Sequence, residues 1–338
     1  MKCKSRIMWL DILKIIACFL VIIDHTGGYI FYHSQSNGTI IYYCLNLAIC
    51  KIAVPIFIMT TGLLLLKKQS SYSEIMKKVL KIFVPLIMLS FVLYVKDNNL
   101  NILLFLRSFV NGPIISPYWY LYMLISLYLI TPLIQKMLKN FNDRDYIYLF
   151  IICLFIPLLL NTICTLFNFK FTSLIYICLF PKIISIYILG YYLSNNVLKR
   201  KYKNIAIIIF TTSIILFFLT LYIPYILKGK VSEIFNTYDS LFAVGGAGSL
   251  FYIIRYYFSD RKINLKISNI IRKVSECTFG IYLFHYLIIY RIYNFNILQK
   301  IFDFNQYIGV LLLEIVVFIL CGLFTYILRQ IPCIKRYL

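Results

Sequence analysis

Ten runs of mostly apolar residues divide this chain, each about as long as a bilayer is thick, and a soluble core of this size cannot bury them all. A helix crosses a hydrocarbon core of about 30 Å with about 20 apolar residues. The runs cover residues 8–31, 40–66, 79–95, 118–134, 146–167, 174–193, 205–227, 241–258, 278–293 and 308–328. Hydrophobic types make up 62% of the 338 residues and charged types 14%, against roughly 25% charged in an ordinary soluble domain. A soluble enzyme, a secreted disulfide scaffold and a disordered regulator are excluded on these proportions. In lipid a helix satisfies its own backbone. The expected fold is therefore an all-α membrane protein, a polytopic bundle of about ten transmembrane helices in direct contact with the lipid bilayer.

The net charge of +22 would suggest nucleic acid on a soluble surface. Here the basic residues sit in short clusters between apolar runs, so no nucleic-acid partner is expected. Alternating the loops puts 23 of the 34 Lys and Arg on one side, 6 on the other and five within spans. The bias makes the richer side cytoplasmic, with both termini on it. The first run starts basic, but Asp11 and Lys14 interrupt it and no small-residue cleavage site follows, so it reads as a span and not a signal peptide. No repeat, linker or soluble segment stands out, and 1–338 reads as a single transmembrane domain with no fused soluble domain. Residues 100–110 are apolar but too short to cross, and suit the interface.

The ten cysteines contain no CxxC pair, and most lie in or beside apolar runs as small packing residues. Three scattered histidines give no metal-ligand spacing, so no metal site is expected. Nucleophile-elbow, phosphate-loop, dinucleotide and H-E-x-x-H motifs are absent.

Ionisable groups inside spans cost at least about 2.5–3.5 kcal/mol each, which makes them the first place to look for chemistry. Lys14 and His25 are eleven positions apart, within about 20° of one helix face, and Asp11 lies close by on the same stripe. Counted from Met8 the rise puts His25 about 26 Å up, near the outer end of the span. Snorkelling of Asp11 and Lys14 with an interfacial histidine is the bland alternative to a site. In the second run Pro55 frees the carbonyl of Lys51, and Thr60, Thr61 and Gly62 follow. This is either a kink closed by threonine hydroxyls or a cavity wall. Residues 117–122 (Pro-Tyr-Trp-Tyr-Leu-Tyr) form either an interfacial aromatic belt or a platform for a sugar ring. His285 stands among aromatics as a hydrogen-bonded packing residue. Arg291 and Glu314 are spaced for a structural ion pair.

At these residues the chain resembles the bacterial integral-membrane acyltransferases of the acyltransferase-3 type, most of all the surface-polysaccharide O-acyltransferases. Lys14, ten positions and His25 match the family's opening. Val54-Pro55-Ile56-Phe57 followed by Thr61-Gly62-Leu63-Leu64 matches its second span, with Thr61 in the usual serine's place. Lys77-Lys78, Lys81 and Pro85 match the next basic helix. Trp119-Tyr120-Leu121, then Tyr128 to Pro132, and finally Ile281 to His285 complete the ordered set.

The resemblance implies transfer of an acyl group, most simply acetyl, from cytosolic acyl-CoA to a hydroxyl of a surface or lipid-linked glycan. It places the chain in a bacterial inner membrane, with acyl-CoA as a donor substrate and no bound cofactor. His25 becomes the catalytic base, and Asp24 a candidate to set its tautomer, although Asp24 lies about 80–100° off the stripe. Lys14 then lies on the donor's path, and Lys77, Lys78 and Lys81 suit its phosphates. Trp119, Tyr120, Tyr122 and Thr61 are candidates for substrate contact. A polysaccharide or lipid-linked sugar exporter is the alternative, since buried charge in such a bundle also suits transport; a membrane module for a separate enzyme is a third reading.

Overall fold

The structure is a computed structural model describing residues 7–30, 36–97, 101–166, 182–231, 237–261, 263–293 and 295–338. Among them every regular element is helical. The helices are α1 (Met8–Thr26), α2 (Asn37–Cys50), α3 (Ala53–Leu66), α4 (Tyr72–Asp97), α5 (Ile102–Asn111), α6 (Trp119–Leu138), α7 (Asp143–Phe150) and α8 (Ile156–Leu166). They continue with α9 (Lys182–Asn195), α10 (Arg200–Lys228), α11 (Leu241–Phe258), α12 (Leu265–Tyr293), α13 (Asn296–Phe304), α14 (Gln306–Leu328) and a last short turn, α15 (Pro332–Lys335).

Seven stretches are long and apolar enough to cross a membrane: Asn37–Leu66, Tyr72–Lys96, Ser116–Leu138, Asp143–Leu166, Arg200–Lys228, Leu241–Phe258 and Gln306–Leu328. They coincide with seven of the ten expected spans. The expected first and ninth spans also form helices, 19 and 29 residues long. The ninth, expected as a short segment from 278, starts at Leu265 because its polar first half is helical too. The sixth is represented by the 14 residues of α9, and the rest of it, 174–181, lies outside the described residues. His33 also lies outside them.

The helices group into two compact units, one formed by the chain to Leu64 with Asn142–Leu323, the other by Leu65–Phe141 with Phe324–Leu338. In the first, α1 packs against α2, α11 and α12, so Leu13, Ala17 and Ile22 are completely buried. α1 and α12 run parallel. Ser275 donates to Asp11 Oδ1 at 2.6 Å, Cys18 Sγ donates to the Thr278 carbonyl at 3.5 Å, and His25 meets His285 further along. Parallel packing is the relation two odd-numbered spans of an alternating bundle must have.

α3 and α9 cross at their glycines. A Cβ on Gly62 would lie 1.8 Å from the Tyr187 carbonyl oxygen, and one on Gly190 would lie 2.0 Å from that of Met59. Small residues let membrane helices approach this closely. Because the obstacle is backbone, Gly62→Val forces the helices apart, at the upper end of the roughly 1–3 kcal/mol typical of overpacking. A marked fall in membrane-inserted protein and in its melting temperature is expected; unchanged abundance and melting would show that the crossing tolerates a side chain.

Arg255, an intramembrane charge in the sequence, ends α9. Its guanidinium donates to the carbonyls of Leu193 at 2.5 Å and Asn196 at 2.8 Å, groups the helix end leaves unpaired. In the second unit, Ser71 and Glu74 cap α4 reciprocally. Gln135 on α6 donates to the carbonyls of Leu65 and Lys68 and accepts from the Ser70 amide, tying down the loop after α3. The short apolar stretch near residue 100 becomes α5, capped by Asn101, with Phe105 and Phe109 buried. Ten residues rise only about 15 Å, too little to cross.

Candidate active site

Three consecutive residues near the end of α1 each reach a different neighbour. Successive side chains on a helix turn through about 100°, so Asp24, His25 and Thr26 point to three sides of a helix that is surrounded. All three directions lead to polar groups.

Asp24 reaches the break between α2 and α3. Lys51 Nζ lies 2.7 Å from its Oδ1, with both side chains less than a tenth exposed. Tyr238, in the turn before α11, donates to its Oδ2 at 2.5 Å, and Cys50 Sγ donates to Oδ1 at 3.1 Å. The Lys51 ammonium also sits 4.5 Å from the centre of the Tyr238 ring, a cation–π contact. Burial, and after it the neighbouring Asp24 carboxylate, push the Tyr238 phenol far above its usual range, so it stays a donor. Lys51 can occupy this place because the helix pauses there: α2 ends at Cys50 and α3 starts at Ala53, just ahead of Pro55. Thr60 and Thr61 both donate to the Phe57 carbonyl, at 3.0 and 2.8 Å, further along the helix than the Lys51 carbonyl that Pro55 frees. Thr61 thus serves its own helix.

His25 reaches α12. Its ring lies 5.2 Å from that of His285, centroid to centroid, and meets Tyr286 edge-on at 5.7 Å. It is half-buried. The Asp24 carboxylate makes no hydrogen bond to it, which leaves the tautomer-setting role expected of Asp24 without a direct contact. His285 is 1% exposed, and its Nδ1 lies 2.6 Å from the Tyr282 carbonyl oxygen. It is the hydrogen-bonded buried histidine expected from the sequence, but its second ring nitrogen, Nε2, is buried with no hydrogen-bond partner. Sequence reasoning missed that this ring faces His25; the seven-residue spacing of Thr278 and His285, within about 20° of one face of α12, was the available signal.

Thr26 reaches α14. Its hydroxyl donates to the Ile22 carbonyl at 2.9 Å and to Glu314 Oε1 at 3.2 Å. The expected ion pair of Arg291 with Glu314 is therefore corrected: Glu314 is 2% exposed and bonds to α1, whereas Arg291 is exposed. The spacing argument failed because it considered α12 and α14 alone and left out α1, whose Thr26 bonds to Glu314.

Lys14 lies eleven residues before His25 on α1 and is half-buried. The other expected site residues belong to the second unit. Lys77 and Lys81 are exposed on α4, and Lys78 is half-buried with its Nζ 3.5 Å from Ser70 Oγ. Of the three aromatics, Tyr120 is 6% exposed, which removes it as an open platform. Tyr122 donates to the Phe109 carbonyl at 2.9 Å and braces α5, while Trp119 remains half-buried. A groove of about 800 Å³ lined by α7 to α11, with Phe150, Leu154, Leu189, Tyr202 and Gly248 on its walls, is mostly apolar and includes none of these residues. Among the described residues no group of three His, Cys, Asp or Glu is placed to hold a metal ion.

The sequence matches the acyltransferase domain family of the acyltransferase-3 type over residues 7–328, nearly its whole length. The chain belongs to this family, and it is a membrane acyltransferase. Comparison with curated proteins and with solved structures found no match to either.

Proposed function

We propose that this chain moves an acyl group, acetyl in the simplest case, from cytosolic acyl-CoA to a hydroxyl of a cell-surface or lipid-linked glycan, across the inner membrane of a bacterium. The observation that carries the reading is the pair of imidazoles, His25 and His285, inside a bundle of apolar helices.

A sugar hydroxyl is a weak nucleophile. In the proposed step His25 takes its proton as the oxygen attacks the thioester carbonyl. The tetrahedral intermediate collapses with cleavage of the carbon–sulfur bond. The His25 imidazolium returns the proton to the departing thiolate, giving the glycan ester and free CoA. Lys14 guides the donor along α1.

Mass spectrometry of surface glycans from cells with and without the chain tests this reading. An acyl mass difference that depends on the chain is expected; unchanged glycan masses with altered glycan export would favour the transport alternative. The orientation has its own test. With the native cysteines replaced, a cysteine at Asn37 or Asn305 should react with a membrane-impermeant maleimide from outside, and one at Ser71 or Ser268 should not. The reverse pattern would put the donor on the wrong side.

A further inference from the structure

We propose that His285 is the positioning partner of His25, its Nε2 accepting the N–H that the His25 imidazole turns away from the substrate. The inference rests on the acyl-transfer reading above and gives a role to His285, to which the proposed step assigns none.

A histidine base works best when its second ring nitrogen is held by a third group, which fixes the tautomer and stabilises the imidazolium formed on proton uptake. Asp24 is next in sequence, but its carboxylate is taken by Lys51, Tyr238 and Cys50. His285 has what the task needs. The Tyr282 carbonyl can only accept, so His285 Nδ1, 2.6 Å away, carries the ring's proton. That leaves Nε2 as a lone-pair acceptor, and it is buried and unpartnered. An unpaired acceptor costs free energy in a fully buried place, and His285 is 1% exposed. A centroid separation of 5.2 Å with ring planes 40° apart is close to that of an in-line N–H···N bond between imidazoles. Rotation of the half-buried His25 ring is enough to make it.

The chemistry favours a neutral acceptor here. A second free carboxylate would have to be desolvated beside the Asp24–Lys51 pair, at a cost the pair does not offset. An imidazole adds no charge. When His25 takes the hydroxyl proton, the positive charge is shared across one hydrogen bond with His285. When the thiolate leaves, the proton goes back from His25 and the pair returns to neutrality.

Two substitutions separate this role from packing. Asn keeps a donor where Nδ1 lies and so keeps the Tyr282 bond, but has nothing at the Nε2 position. Gln places an amide oxygen near Nε2 and gives up the Tyr282 bond. Transfer is measured in membrane vesicles, from radiolabelled acetyl-CoA into the host's surface glycan. His285→Asn should insert at normal abundance and lose about 10- to 100-fold in kcat, the effect of one hydrogen bond to a charged group, with KM for acetyl-CoA unchanged. His285→Gln should retain transfer within a few fold. Full activity in His285→Asn would overturn the proposal. Loss in His285→Gln at normal abundance would also overturn it, because an acceptor at that position would then not suffice.

An activity-free readout keeps the inference separate from the function it rests on. In 15N-histidine spectra of the full chain in nanodiscs, the His285 Nε2 resonance should shift on His25→Ala. An unmoved resonance would refute the contact even in an active enzyme. Absence of acetyl incorporation by the wild type, with the shift present, would sink the acetyl reading and leave the histidine pair standing.

Discussion

Replacing His25 with alanine is expected to abolish acyl transfer while the protein still reaches the membrane at normal abundance. His25 is half-buried and its contacts are ring contacts with His285 and Tyr286, so its loss removes little packing and breaks no ion pair. A general base contributes typically 10²–10⁴-fold, and no other described residue combines an imidazole with partial exposure. The measurement is acyl incorporation into surface glycan, with membrane abundance followed by immunoblot. Near-normal acylation in His25→Ala would place the base elsewhere. If His285→Asn were the inactive variant in that case, the roles of the two rings would be exchanged. If both variants were active, the histidine pair would have no part in the chemistry.

The second large effect is on stability. Asp24 and Lys51 are a buried, hydrogen-bonded ion pair, and removing one partner of such a pair costs about 3–5 kcal/mol because the other charge is left in a low-dielectric interior. Asp24→Asn and Lys51→Met should each reduce folded protein sharply, measured as membrane abundance and melting in detergent. The combined Asp24→Asn, Lys51→Met variant removes both charges and should recover much of the loss, a coupling visible only in the double-mutant cycle. Additive losses would show that the two charges do not depend on each other. The recovered protein then tests function separately: if the pair only holds the α2–α3 break in place, the double variant should transfer acyl groups normally.

The sequence reading and the structure part company at particular residues. The spans were legible because 20-residue apolar runs have few other uses in a chain this poor in charge, and seven of them match in place. The stripe of Asp11, Lys14 and His25 was legible too, because helix periodicity is a local property. The apolar run 278–293 marks only part of the ninth helix, because Leu265–Tyr293 continues through its charged first half. In sequence Arg255 and Lys51 are charges inside apolar runs with no partner nearby, since the carbonyls at the end of α9 and the carboxylate of Asp24 are distant along the chain.

Residue order by itself determined that the chain is a helical membrane protein, and by resemblance that it is an acyltransferase. Hydropathy and periodicity need only neighbouring residues to be read. Which group each of Asp24, His25 and Thr26 meets was decided by the tertiary structure alone. α1 is surrounded, and the hundred-degree step between successive residues sends each side chain to a different helix. The partners Lys51, His285 and Glu314 lie 27, 260 and 288 positions further along the chain, and no local pattern links positions that only helix packing brings together.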